Sequence, residues 1–242
     1  MKWITEEQGR LLGAFFLLWA FLYLPLLGGF ELKGEEARRV MPGLTMLESG
    51  NWIQPYIGGE RYYNKPPMVN WLAVASFGLT GQVNEWTARL PVSLAMLGLS
   101  VFVALFRSQS WSFRARLYAG VMFLTVGGLL FDKGRLVEID GFYTVSTAVA
   151  LISWLLAWIE GDRGLRLWIV PGVSLCVGLF FKGPLLFLFF YLTVFGVLWK
   201  EKAWRRLIDW QHAVGLAIMV MPFLFWSCLA TSLGAGNEMV SQ

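Results

Sequence analysis

Seven apolar runs, at approximately 11–29, 87–106, 117–131, 142–159, 167–181, 184–199 and 212–232, constrain this chain more than any other feature. Crossing a hydrocarbon core of about 30 Å takes roughly 20 mostly apolar residues. Backbone inside lipid must satisfy its own hydrogen bonds, which a helix does. Composition agrees: of 242 residues 57% are hydrophobic, only 15% are charged and 13 are Trp. The expectation is an all-α polytopic membrane protein with about seven transmembrane helices. No internal repeat and no Gly/Ser linker interrupts it, so a single transmembrane domain over 1–242 is expected. No feature points to nucleic acid.

The first ten residues mix Lys2 and Arg10 with Glu6 and Glu7, unlike the basic head of a signal peptide. The run behind them is long and ends without a small-x-small cleavage site, so it reads as a retained first span. Cys176 and Cys228 lie inside apolar runs and read as small core residues rather than a disulfide. His212, the only histidine, stands at the edge of the last run and makes no metal site alone.

Charge in the short loops sets the expected orientation. The segment RSQSWSFRAR (107–116) carries three arginines and no acid, and KEKAWRRLIDWQH (200–212) carries four basic residues against two acids. Placing both in the cytoplasm puts the N-terminus inside and the long first loop, 30–86, outside. Glu35 and Glu36, the stretch from Arg61 to Lys65, DKGRLVEID (132–140) and FKGP (181–184) then share the outer face. Charges gathered next to hydrocarbon are expensive and commonly mark a site.

Within the first loop, GEEARRVMPGLTMLESG (34–50) has Ala37, Val40, Met41, Leu44 and Leu47 at helical spacing, which predicts a surface amphipathic helix. Its acids suit the positive end of the helix dipole, and Pro42 predicts a kink or early break. In NWIQPYIGGERYYNKPP (51–67), Gly58-Gly59 permits a tight reversal and Pro66-Pro67 forces Lys65 into an extended conformation. Proline suits the first turn of a helix. A strand ending at Lys65 and an interfacial helix from about Pro66 to Phe77 are therefore expected, with Lys65 on a rigid corner.

The order GEEARR, W-x-x-P (Trp52 to Pro55), a Gly-Tyr turn, KPP, W-x-A (Trp71 to Ala73) and ARLP (Ala88 to Pro91) resembles bacterial membrane glycosyltransferases. The group is that of the dolichyl-phosphate-mannose mannosyltransferases and aminoarabinose transferases. RLVEIDGFYT (135–144) and FFKGPLLFLFF (180–190) are similar to the group's later motifs. The resemblance implies a GT-C fold, location in the bacterial inner membrane, and inverting transfer of a sugar from a polyprenyl phosphate at the outer face. It implies Glu35, Glu36 and Asp140 as catalytic acids, and Lys65, Arg61, Arg89 and Lys182 as partners of the donor phosphate. Asp132, Arg135, Glu138 and Asn64 form a second tier. No covalently bound cofactor is expected; a divalent metal serves some members of the group. The implied partners are the polyprenyl-phosphate sugar and the bilayer.

A second function class stays open: a catalytically silent relative acting as a structural subunit of a larger membrane complex, with other membrane subunits supplying missing parts. It draws on Glu35 where the group commonly has Asp, on Asn64 where it commonly has Glu, and on the expectation that the group's later spans and C-terminal outer domain are absent. A transporter is a distant third, since no broken-helix repeat is evident.

Overall fold

The computed structural model describes residues 6–62, 64–106 and 111–240. Lys2, and the part of the basic 107–116 loop formed by residues 107–110, lie outside the described residues. Nine α-helices are found among those described: α1 (Glu6–Tyr23), α2 (Glu35–Ser49), α3 (Met68–Thr80), α4 (Glu85–Leu105), α5 (Phe113–Thr125), α6 (Ile139–Ile159), α7 (Arg166–Lys182), α8 (Leu185–Lys200) and α9 (Trp210–Val240). All but α2 and α3 fall on the seven apolar runs. By length and composition Glu85–Leu105, Ile139–Ile159 and Trp210–Leu233 can cross a membrane, while Gln8–Tyr23 and Leu185–Lys200 are shorter apolar helices. The polytopic helical bundle expected from the runs is the fold observed.

Several boundaries differ from expectation, each for a local reason. The first span ends at Tyr23 instead of Gly29, because Pro25 and Gly28-Gly29 turn the chain and Leu26 adopts a left-handed φ of 58°. The run 117–131 is not one helix. It comprises the end of α5, a break at Val126, and a π-helical turn over Leu129–Lys133. The α2 helix continues through Pro42, although proline removes a backbone donor. It stops at Gly50, whose φ of 69° forms a left-handed cap and whose N–H donates to the Met46 carbonyl at 3.0 Å.

The reversal at Gly58-Gly59 forms a two-residue hairpin, with φ of 60° and 86°, between β1 (Tyr56–Ile57) and β2 (Glu60–Arg61). Two successive positive φ values suit a tight hairpin turn, and glycine adopts them without a Cβ clash. The strand ends at Arg61, short of Lys65, and α3 begins at Met68 with Pro67 as its cap.

Aromatic stacking and side-chain hydrogen bonds fix the bundle. Trp154 is fully buried, stacked on Trp158 at 5.4 Å and packed against Trp168 and Phe190. The Trp19 indole donates to the Ser93 carbonyl at 2.7 Å and the Tyr23 hydroxyl to the Leu124 carbonyl at 3.2 Å, tying α1 to α4 and α5. Buried His212 lies against Trp168 and shares a 2.9 Å hydrogen bond with the Tyr191 hydroxyl, so it serves packing among α7, α8 and α9. Cys176 and Cys228 are free thiols.

Candidate active site

Two carboxylates and a lysine meet where three helices end. Asp140 stands in the first turn of α6, Lys182 is the last residue of α7, and Glu35 opens α2. Acids at helix starts and a base at a helix end are each favoured by the helix dipole. A cavity of about 200 Å³ lies between them, lined by Glu35, Arg39, Lys65, Glu138, Ile139, Asp140 and Lys182. The structure thus gathers five of the expected residues, Glu35, Lys65, Glu138, Asp140 and Lys182, around one space.

Most of these charges are already matched. Lys182 Nζ lies 2.6 Å from Asp140 Oδ1, with both side chains about 40% exposed, which makes this a solvated and exchangeable pair. Lys133 Nζ lies 2.7 Å from Glu138 Oε2, and this hydrogen bond chiefly holds the ammonium above its ordinary pKa. Glu35 is held by two arginines, Oε1 by Arg38 Nη1 at 2.8 Å and Oε2 by Arg39 Nη2. Lys65, half-buried and braced by Pro66-Pro67, has no hydrogen-bond or ion-pair partner among the described residues. It is the cation in the cavity left over for an incoming anion.

Arg39 was not among the expected site residues. It is 5% exposed and donates from Nη1 to the Tyr62 hydroxyl at 2.6 Å as well as to Glu35. Its Nε is buried with no partner among the described residues, while its backbone carbonyl accepts from the Asn70 side chain at 2.6 Å. It therefore links α2, α3 and the hairpin segment leading to Lys65. The signal was present in the sequence: Arg39 follows Glu35 by four residues, so both lie on one helix face.

The other expected residues go elsewhere. Glu36 and Arg89, each 4% exposed, form a bidentate pair with both contacts at 2.8 Å. Arg89 also donates to the carbonyls of Leu27, Phe30 and Glu31, and the Val137 N–H donates to Glu36 Oε1 at 3.0 Å. Neither Glu36 nor Arg89, expected as a catalytic acid and a phosphate partner, lines the cavity. Both are occupied in a buried clamp joining α2, α4 and the segment before α6. Arg61 stays on β2 opposite Tyr56, and Asn64 is exposed; neither lines the cavity. Asp132, 3.5 Å from Lys133, also lies off it, and Arg135 faces a different crevice.

A resident divalent metal does not fit these donors. Each cavity carboxylate already has a cationic partner, and no group of three or more His, Cys, Asp or Glu side chains converges among the described residues. The chemistry on offer is an anion seat at Lys65 beside carboxylates able to accept a proton.

Residues 64–226 match the family described as dolichyl-phosphate-mannose-protein mannosyltransferase. The chain is 32% identical over 219 residues to an undecaprenyl phosphate-alpha-4-amino-4-deoxy-L-arabinose arabinosyl transferase of Pseudomonas savastanoi pv. phaseolicola, an alignment covering 88% of this chain and 40% of the relative. A Pectobacterium atrosepticum protein of the same name is 32% identical over 216 residues, covering 86% and 37%. The chain thus spans about two fifths of the length of the curated relatives it matches. Crystal structures of ArnT from Cupriavidus metallidurans superpose with TM-scores of 0.74 in the apo state and 0.75 bound to undecaprenyl phosphate. They are 21% and 22% identical, and each superposition covers 92% of this chain and 41% of the other.

Proposed function

Because the chain belongs to the dolichyl-phosphate-mannose-protein mannosyltransferase family, we propose that its cavity is the donor-side site of a membrane glycosyltransferase. The reaction moves a sugar from a polyprenyl phosphate to an acceptor hydroxyl at the outer face of the bacterial inner membrane, with the N-terminus cytoplasmic. The observation that carries this reading is Lys65, held at a proline-braced corner without a counter-ion among the described residues, across a cavity from Glu35, Glu138 and Asp140. The curated relatives and the fold's match to a protein bound to undecaprenyl phosphate support the lipid class.

The transfer is an inverting displacement. The acceptor oxygen bonds to the anomeric carbon while the bond from that carbon to the phosphate oxygen breaks. Polyprenyl phosphate leaves with the electron pair, and the acceptor proton passes to a carboxylate. Lys65 stabilises the charge that develops on the departing phosphate. Asp140 is best suited to take the proton: Lys182 occupies Oδ1, whereas Oδ2 has no partner among the described residues. Glu35, with both oxygens held by arginine, orients rather than accepts.

Binding of undecaprenyl phosphate to the purified chain tests the lysine directly. A charge-assisted contact contributes about 1.5–3 kcal/mol, so Lys65→Ala is expected to weaken binding about 10- to 100-fold. In a transfer assay from a labelled polyprenyl-phosphate sugar, Asp140→Asn is expected to abolish turnover while leaving donor affinity close to wild type. Unchanged affinity in Lys65→Ala would remove the basis of the proposal.

A further inference from the structure

A second and larger crevice, of about 660 Å³, opens beside the α1 end of the bundle and shares no lining residue with the proposed donor cavity. Two irregular segments wall it. One is the turn after α1, where Leu26 holds a left-handed φ of 58° that a side chain with Cβ adopts only at a cost. The other is the π-helical turn Leu129–Lys133, a geometry that recurs at functional sites. Both present large apolar side chains outward: Leu26, Phe30 and Phe131 are all more than 70% exposed.

The charges beside these apolar walls do not cancel. Arg89 is neutralised by Glu36. Arg135 is not neutralised: among the described residues it has no carboxylate partner and donates only to the carbonyls of Leu22 and Pro25. Burial pulls its guanidinium below the ordinary value; the Tyr23 phenol opposes that, and positive Arg89 nearby adds to it. Lys33 on the rim likewise has no partner among the described residues, against a single rim acid, Glu31. The crevice is left with one net positive charge set against apolar walls, where an apolar helix gives way to polar chain.

We infer that this crevice binds an anionic membrane phospholipid, with its phosphate between Lys33 and Arg135 and its acyl chains along Leu26, Phe30 and Phe131. Basic pockets at the ends of apolar helices have this chemistry. The bound lipid is not transferred; it fills the counter-ion position of Arg135 and ties the turn after α1 to the π-helical segment.

The test measures thermal stabilisation of the purified chain, and lipid retention by native mass spectrometry, with phosphatidylglycerol, phosphatidylcholine and inorganic phosphate as separate probes. Phosphatidylglycerol is expected to stabilise and be retained; phosphatidylcholine, which carries no net charge, and inorganic phosphate, which lacks acyl chains, are expected to do neither to the same degree. Lys33→Gln should weaken phosphatidylglycerol binding about fivefold, the effect of one basic residue at a lipid surface. Phe131→Glu, an exposed position whose change leaves core packing intact, should weaken it at least as much. Lys65→Ala, which disables the proposed donor seat, should leave it unchanged. Equal response to phosphatidylcholine, equal response to inorganic phosphate, or undiminished phosphatidylglycerol binding in both crevice variants would overturn the inference.

Discussion

The adjacent glutamates at the start of α2 provide the sharpest test, because neighbours in sequence have opposite surroundings. Glu36 accepts two hydrogen bonds from Arg89 and one from the Val137 N–H, and both partners of the ion pair are buried. Removing one member of such a pair strands the other charge and costs about 3–5 kcal/mol. Glu36→Gln keeps the shape and removes the charge, so most of that cost should appear. For a chain of this size about 1 kcal/mol corresponds to roughly 2–4 °C in Tm, giving a fall on the order of 10 °C. Glu35 is about half exposed in its side chain; its pair with exposed Arg38 is screened by solvent, while its other partner, Arg39, is buried. Gln keeps an acceptor for Arg39, so Glu35→Gln should cost about 1–2 kcal/mol, a smaller fall in Tm than Glu36→Gln gives.

Thermal unfolding of both variants in the same detergent, followed by tryptophan fluorescence, separates the two roles. A third variant sharpens the comparison. Glu36→Leu combined with Arg89→Met removes both charges and should recover part of the stability lost in Glu36→Gln, since no isolated charge remains. Recovery stays partial because the Val137 N–H and three carbonyls lose their partners. A Glu36→Gln protein as stable as wild type, yet inactive, would refute the structural assignment and return Glu36 to the chemistry.

Two further outcomes follow from the same geometry. Arg39→Gln and Tyr62→Phe should each weaken binding of undecaprenyl phosphate by loosening the segment that carries Lys65. The double variant should be no worse than the more severe single, with a coupling of about 1–2 kcal/mol in a double-mutant cycle of measured affinities; full additivity would break the proposed link. Gly141→Ala should destabilise the chain by about 1–3 kcal/mol in thermal melts, because a Cβ there would overlap the Lys133 carbonyl and lie 2.6 Å from Val92 Cγ2. It should also disturb the adjacent Asp140 and reduce transfer.

The elements were legible wherever hydrophobic run length or turn chemistry decides the structure. Helices fall on all seven runs, though 117–131 is broken, and the Gly58-Gly59 reversal and the helix after Pro66-Pro67 are present. What the sequence left open was which side of an element a charge occupies. Consecutive helical residues point about 100° apart, so Glu35 and Glu36, read as one acidic pair, separate into a cavity and a buried clamp. Arg38 and Arg39 look alike in sequence, and only their positions around α2 distinguish a largely exposed side chain from a buried one. Between 129 and 138 no helical or strand period applies, so the sequence offered no basis for sending Glu138 to one cavity and Arg135 to another.

The support of Lys65 shows why a loop can hold a precise site here. Proline fixes the local backbone, but a rigid corner on a loose loop would still wander. The loop is therefore tied at several points. Arg39 on α2 holds Tyr62, the Trp71 indole on α3 donates to the Trp52 carbonyl at 2.9 Å, and two bonds reach the last helix: Gln54 Nε2 to the Ala230 carbonyl at 2.7 Å, and the Trp226 indole to the Ile53 carbonyl at 3.2 Å. Gln54 is 1% exposed, so its bond to α9 is shielded from water, and a buried amide that lost it would be left unsatisfied. The corner is thus referenced to α2, α3 and α9 at once, and its anchors lie between residues 39 and 230 of this chain. Pre-organisation of that kind lowers the ordering cost of seating a phosphate, which is what a cation with no counter-ion among the described residues requires.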